Sequence, residues 1–218
     1  MNTRSFLAAR RGLAILLICS GLTSAQELKP IQLPKPQMNG GRPLMQVLKD
    51  RRSSRAFSTE KLPMQTLANL LWAGFGVNRP DSGQRTAPSA MNQQEIDIYV
   101  ATADGLYLYD AKAHVLQPVL AEDIRALTGL QPFVHEAPVN LVYVADFSKM
   151  GRAANDQKDF YSAADTGFIG ENVYLYCASE GLVTVVRAMI DRPALAKAMK
   201  LRPDQKVILS QTVGYPKK

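Results

Sequence analysis

An α+β fold is the class this sequence predicts, on three observations. Ile96, Ile98 and Val100 alternate with polar neighbours and run toward an Asp104-Gly105 pair, as strands of an antiparallel meander do. Val139 to Ala145 (VNLVYVA) is rich in β-branched residues and carries no charge, the pattern of a central strand. Phe160 to Glu180 has the length of a long helix, and helices and strands follow one another without strict βαβ alternation.

The elements can be justified in order. Leu44, Val47 and Leu48 stand at i, i+3 and i+4, so 43–50 reads as a short amphipathic helix. Leu62-Pro63 opens a second helix with Leu67, Leu70 and Leu71 on one face and Gly74 to end it. Asn78 to Ser89 reads as a polar loop. After the strand at Ile96, the Asp104-Gly105 turn leads into Leu106–Tyr109 and Val115–Val119, which continue the meander. Ala121 to Leu130 reads as a helix. The long helix is almost wholly apolar from Phe168 to Cys177, which predicts burial on every side, by the core and by a second subunit. Pro193 starts another short helix, and Val207 to Val213 is the last strand. No internal repeat is present, and one domain over 43–218 suffices.

Composition excludes several classes. The 218 residues are 46% hydrophobic and 21% charged, too apolar for disorder. Two cysteines, Cys19 and Cys177, exclude a disulfide-dense scaffold and a multi-cysteine zinc module, and two histidines leave little for a His-rich metal site. Residues 1–25 read as a signal peptide. Arg4, Arg10 and Arg11 precede the apolar run Gly12 to Leu22, which is too short to span a bilayer, and Thr23-Ser24-Ala25 supplies the small residues of a cleavage site. Cleavage would remove Cys19 and lower the formal charge from +7 to +4, leaving no membrane anchor. Residues 26–42, with Pro30, Pro34 and Pro36, then read as a flexible tether. A periplasmic or secreted protein is expected. Arg10-Arg11-Gly12-Leu13 resembles the twin-arginine signal, which leaves that route and the general secretory one both open.

Three segments carry candidate chemistry. Arg51-Arg52-Ser53-Ser54-Arg55 sets three guanidiniums and two hydroxyls within one short stretch, a set able to fork onto phosphate oxygens. Taken alone it reads better as a solvated basic face near a helix C-terminus. Nucleic acid is not expected, because the mature charge is small and no other basic run supports it. Arg85 to Gln94 (RTAPSAMNQQ) offers a proline-shaped turn with a hydroxyl and amides, suited to a flat heterocycle or simply to a turn. Gly181 to Met189 reads either as a buried strand or as backbone presenting N–H groups to a ring. Cys177 reads as core, His114 and His135 as surface or structural residues, and Tyr107 and Tyr109 as alternating strand residues. No Gly-x-Gly-x-x-Gly fingerprint, P-loop or HExxH occurs.

The order of these pieces is specific. A short helix then RRSSR, PSAMNQ before a strand, a long helix ending at EGL and a terminal strand into GYP resemble the nitroreductase family of FMN-dependent oxidoreductases. The resemblance runs from about Leu44 to Lys217. Glu95 to Pro118 looks more like the dehydrogenase branch related to peptide thiazoline oxidases. Two features depart from the family pattern. Gln94-Glu95-Ile96 stands in place of the usual Gln-Pro-Trp, and the sequence closes soon after Gly214-Tyr215-Pro216 without a later basic phosphate ligand.

The resemblance implies a mixed sheet flanked by helices, with the long helix central to a homodimer holding FMN at its interface. Arg51, Arg52, Ser53 and Arg55 would hold the phosphate and ribityl chain. Pro88, Ser89 and Asn92 would come from the other subunit and line the ring. Val186, Arg187 and Ala188 would pack on the flavin, with a backbone N–H near N5, and Lys217 would be a phosphate partner. It further implies a small-molecule substrate, no catalytic side chain evident in the motifs and, with export, a periplasmic redox partner as electron source. The alternative is a non-catalytic secreted module of the same fold that binds flavin or a protein partner.

Overall fold

The computed structural model describes residues 28–152 and 154–218, so the expected signal peptide lies outside the described residues. The chain begins with a strap. Residues 28–42, expected as a tether, cross the molecule, form strand β1 (Ile31–Gln32) and bury Leu33 in the core. His114 fastens the strap, its Nε2 3.0 Å from Pro34 O and its Nδ1 3.0 Å from the Tyr109 hydroxyl.

Helix α1 (Leu44–Asp50) and helix α2 (Met64–Phe75) follow. In α1 only Val47 is buried; Leu44, Met45 and Leu48 are exposed on a single chain. α2 runs past Gly74 and ends at Gly76. Gly74 serves close packing instead: a Cβ there would lie 3.1 Å from Val173 Cγ2. The expected polar loop contains a small ribbon, β2 (Val77–Arg79) with β3 (Gln84–Arg85).

The meander is β4 (Ile96–Thr102), β5 (Gly105–Asp110) and β6 (Val115–Leu120), and Gly105 turns with φ +145°. Ala121 to Leu130 is not an α-helix. It holds one 3-10 turn, Arg125–Thr128, whose Thr128 O accepts from Arg187 Nη1 at 2.7 Å and Ser210 Oγ at 2.6 Å. Then come β7 (Val139–Asp146), α3 (Asn155–Ser179), β8 (Val183–Arg187), α4 (Arg192–Ala198) and β9 (Gln205–Gly214).

The main sheet has the order β1-β6-β5-β4-β7-β9-β8, and every strand pairing in it is antiparallel. The fold is therefore α+β. Strand β7 is buried throughout because both its faces are covered. Leu141 and Tyr143 join the core shared with α2 and α3, whereas Val142 and Val144 face Leu195 and Met199 around α4. Helix α3 is not apolar all round. Ile169, Gly170, Val173 and Cys177 are buried, while Phe160 and Phe168 stand exposed on a single chain. No helix among the described residues is long and apolar enough to cross a membrane.

Candidate functional site

The arginine-rich segment leaves α1 in extended form because both its edges find backbone partners. Ser53 makes a parallel bridge with Thr184 of β8, and the Ser54 N–H donates to Thr184 O at 3.0 Å. Phe57 pairs with Pro216, and the Ser58 N–H donates to Tyr215 O at 2.9 Å. Phe57 is buried against the Phe133 ring, which anchors the segment from below. Arg52, Ser53 and Arg55 are left exposed. Arg51 lies over the Tyr174 ring at 5.2 Å and 3.9 Å from Glu171. Arg52 and Arg55 have no carboxylate partner among the described residues.

A cleft of about 460 Å³ opens here, with Arg42, Arg51 and Arg52 on one side and Tyr174, Val183 and Thr184 among its other walls. Tyr174 organises this side of the molecule. Its hydroxyl is 2.8 Å from Ser53 Oγ and accepts the Val186 N–H at 2.9 Å. In the sequence this role is marked by nothing beyond a phenol on the long helix.

Val186 and Arg187 belong to strand β8, so the expected flavin loop is strand up to Arg187, with Ala188 exposed just beyond it. The Arg187 side chain points into the protein. It is buried, donating Nη1 to Thr128 O, Nη2 to Asn140 Oδ1 at 3.0 Å and Nε to Thr212 Oγ1 at 3.1 Å. Burial lowers its pKa to about 10. A Cβ at Gly129 would fall on this guanidinium, so Arg187 and Gly129 form one structural unit. Lys217 has its backbone beside Ala56, but its Nζ lies 3.7 Å from Glu136 Oε2, away from the arginines.

The second segment forms a tight turn. Met91, Asn92 and Gln94 all take left-handed backbone angles (φ 52°, 54° and 50°), which leaves Pro88, Met91 and Asn92 exposed. The turn is fastened by Ser89, whose Oγ accepts the Gln94 N–H at 2.7 Å, and by Asp165 of α3, whose Oδ2 accepts the Ala90 N–H at 2.9 Å. Asp165 and Tyr174 are nine residues apart, about two and a half helical turns, so they project from opposite sides of α3. A single chain therefore holds the arginine segment and the Pro88–Asn92 turn on opposite faces of one helix. Cys177 is buried in the core between them, and burial pushes its thiol pKa far up. Among the described residues no group of His, Cys, Asp and Glu is arranged to hold a metal ion.

Known proteins share this fold. The model of the nitroreductase family matches residues 48–215. A protein of Methanocaldococcus jannaschii named a putative nitroreductase is 33% identical over 152 residues, covering 65% of this chain and 76% of its own length. A crystal structure described as a putative nitroreductase from Ralstonia eutropha superposes with a TM-score of 0.84 at 44% identity, over 89% of this chain and 92% of that one. The Escherichia coli microcin synthetase McbBCD complex shares the fold, with a TM-score of 0.67 at 20% identity over 99% of this chain and 85% of that one.

Proposed function

The chain belongs to the nitroreductase family of oxidoreductases, and from that membership we propose that it binds FMN and acts on a small-molecule substrate in two half-reactions. The observation that carries the cofactor assignment is the pair Arg52 and Arg55, two exposed guanidiniums without a carboxylate partner among the described residues. Arg52 lines a cleft whose other walls include β8. Such a donor set fits a phosphate-bearing flavin, because guanidiniums fork onto phosphate oxygens while the neighbouring strand offers a flat wall for a ring.

FMN, when bound, supplies the redox chemistry, and the protein supplies binding, orientation and electrostatics. Arg52 and Arg55 hold the phosphate, with Arg51 beside them and Ser53 donating its hydroxyl. Tyr174 fixes Ser53 and Val186 relative to each other, so the phosphate end and the β8 end keep their spacing. Backbone at Ala188, beyond the last β8 pairing, would be available to the ring. No side chain in these segments is placed as a general acid or base, so protons come from solvent or substrate.

The site is completed in a homodimer, with Pro88, Ser89 and Asn92 supplied by the partner subunit. Two features support this. The two segments sit on opposite faces of α3, and a single chain exposes Leu44, Met45, Leu48, Phe160 and Phe168, an apolar surface suited to a subunit interface. The signal-like residues 1–25 support an exported enzyme reduced by a substrate or a periplasmic redox partner, since nicotinamide nucleotides are scarce outside the cytoplasm.

Absorbance of the purified protein tests the cofactor reading. We expect flavin bands at one FMN per chain in wild type, and their loss in the Arg52→Ala/Arg55→Ala double variant with the fold intact by circular dichroism. A colourless protein that takes up no added FMN would overturn it. Cell fractionation together with anaerobic bleaching by NADH and NADPH tests the export and donor reading; a cytoplasmic protein bleached within seconds would overturn that part alone.

A further inference from the structure

Beneath the Pro88–Gln94 turn lies a pair of carboxyl groups that the reading above leaves without a role. Glu95 immediately precedes strand β4 and is completely buried; Asp165, its neighbour on α3, is nearly so. Each is tied to the turn. Ser89 Oγ donates to Glu95 Oε2 at 3.3 Å, and Asp165 Oδ2 accepts the Ala90 N–H at 2.9 Å. Glu95 Oε1 is buried with no hydrogen-bond partner. Two buried carboxylates side by side repel, and an orphaned carboxylate oxygen beside a second carboxylate is the geometry that one shared proton resolves.

The charges on the surrounding elements do not neutralise the pair. On β4, Asp97 is paired with Lys149, which follows β7. At the end of β7, Asp146 is held by Arg202, and its backbone N–H donates to Glu95 O at 2.9 Å. Lys158 of α3 donates to Phe147 O, and the Arg85 guanidinium donates to Gln94 Oε1 and Phe75 O. None of these cations bonds either member of the pair.

We propose that Glu95 retains its proton beside Asp165 and that the pair acts as a proton-dependent latch that holds the Ser89–Gln94 turn in its left-handed shape. They are positioning residues: they touch the turn, and the turn presents Pro88, Ser89 and Asn92. The latch deepens the flavin reading and rests on it only for that last step. Desolvation, with Asp165 adding to it, raises the Glu95 pKa, in agreement with a retained proton. A group whose pKa is raised in the folded state favours the closed turn at low pH. That preference declines as pH climbs above the ordinary carboxyl range and levels off once the folded pKa is passed. Glu95 stands where the family pattern has proline, so the latch is a feature of this chain.

The test is amide hydrogen exchange over residues 88–95 between pH 4 and 9, corrected for intrinsic exchange, on the full protein with and without added FMN. In wild type, protection of this segment should fall with rising pH, by about tenfold for each unit by which the closed turn raises the Glu95 pKa. Glu95→Gln keeps the hydrogen bonds without a titrating proton and should be protected at every pH. Asp165→Asn keeps an acceptor for Ala90 and removes the neighbouring charge, so the fall in protection should be smaller than in wild type, the buried Glu95 still titrating. Protection that is independent of pH in wild type, or that falls equally in wild type and both variants, overturns the latch. FMN affinity should decline over the same pH range in wild type and not in Glu95→Gln; affinity unchanged while the turn opens overturns its link to the flavin wall. If no FMN binds at any pH the cofactor reading fails, and the exchange data still decide the latch.

Discussion

Ser53 and Tyr174 are joined hydroxyl to hydroxyl at 2.8 Å, and through that contact the arginine segment is keyed to helix α3. The same phenol oxygen accepts the Val186 N–H, so one side chain sets the distance between the arginine-rich segment and strand β8. Tyr174→Phe should therefore act at both places. We expect a stability loss of about 1 kcal/mol in urea unfolding, the net value of such bonds, and FMN affinity lowered by about tenfold, the equivalent of a similar free energy. Unchanged affinity would assign Tyr174 to packing alone.

Arg187 should behave as part of the fold. Its fork reaches Thr128, Asn140 and Thr212 at once, which a point-charge ammonium cannot reproduce. Arg187→Met should cost about 3 kcal/mol by urea unfolding, because it removes the three hydrogen bonds of a buried guanidinium. Arg187→Lys should not restore the loss. Whatever protein remains folded should keep its flavin, which distinguishes this role from direct contact.

Much of the fold was legible in local pattern. Alternation at Ile96, Ile98 and Val100 and the Asp104-Gly105 turn mark the meander, because a strand with one face toward each core alternates and a hairpin needs its glycine. What misled was tertiary. Ala121 to Leu130 has helical composition, yet it holds only a 3-10 turn whose Thr128 carbonyl is fastened by Arg187 and Ser210 from far along the chain. Gly74 looks like a helix stop but is required by the nearness of Val173. At the site, the exposed guanidiniums of Arg52 and Arg55 could be read from sequence, since nothing else need contact them. The inward turn of Arg187 could not, because strand register decides which face a side chain takes. Nor could the meeting of Glu95 with Asp165, which lie on separate elements seventy positions apart.

His114 should make the N-terminal strap sensitive to acid. Its ring spans the Tyr109 hydroxyl and Pro34 O, and burial lowers its pKa. One ring nitrogen accepts from Tyr109 and the other donates to Pro34, so protonation removes the acceptor. The folded pKa is depressed, so this stabilisation is present above the unfolded value of about 6.5 and is lost as pH falls through the folded value. Exchange of the Leu33 amide, which donates to His114 O, should accelerate relative to the central strand β7 below pH 6.5 or so in wild type. His114→Gln should abolish that dependence.

The exposed Phe168 offers a test of assembly. Light scattering of wild type at micromolar concentration should give twice the 24.0 kDa chain mass, less any segment removed on export. Phe168→Asp places a charge on the apolar face of α3 and should yield a monomer that no longer retains FMN. A wild-type monomer with full FMN content would contradict a shared site.

The phosphate anchor is the claim on which the account turns, and it is measured most directly by titrating flavin-free protein with FMN and with riboflavin, which has the same ring and no phosphate. Two charge-assisted guanidinium bonds at about 1.5 kcal/mol each amount to roughly two orders of magnitude in affinity. The account predicts that FMN binds about a hundredfold more tightly than riboflavin, and that Arg52→Ala/Arg55→Ala brings the two together. Equal binding of FMN and riboflavin by the wild-type protein would contradict it.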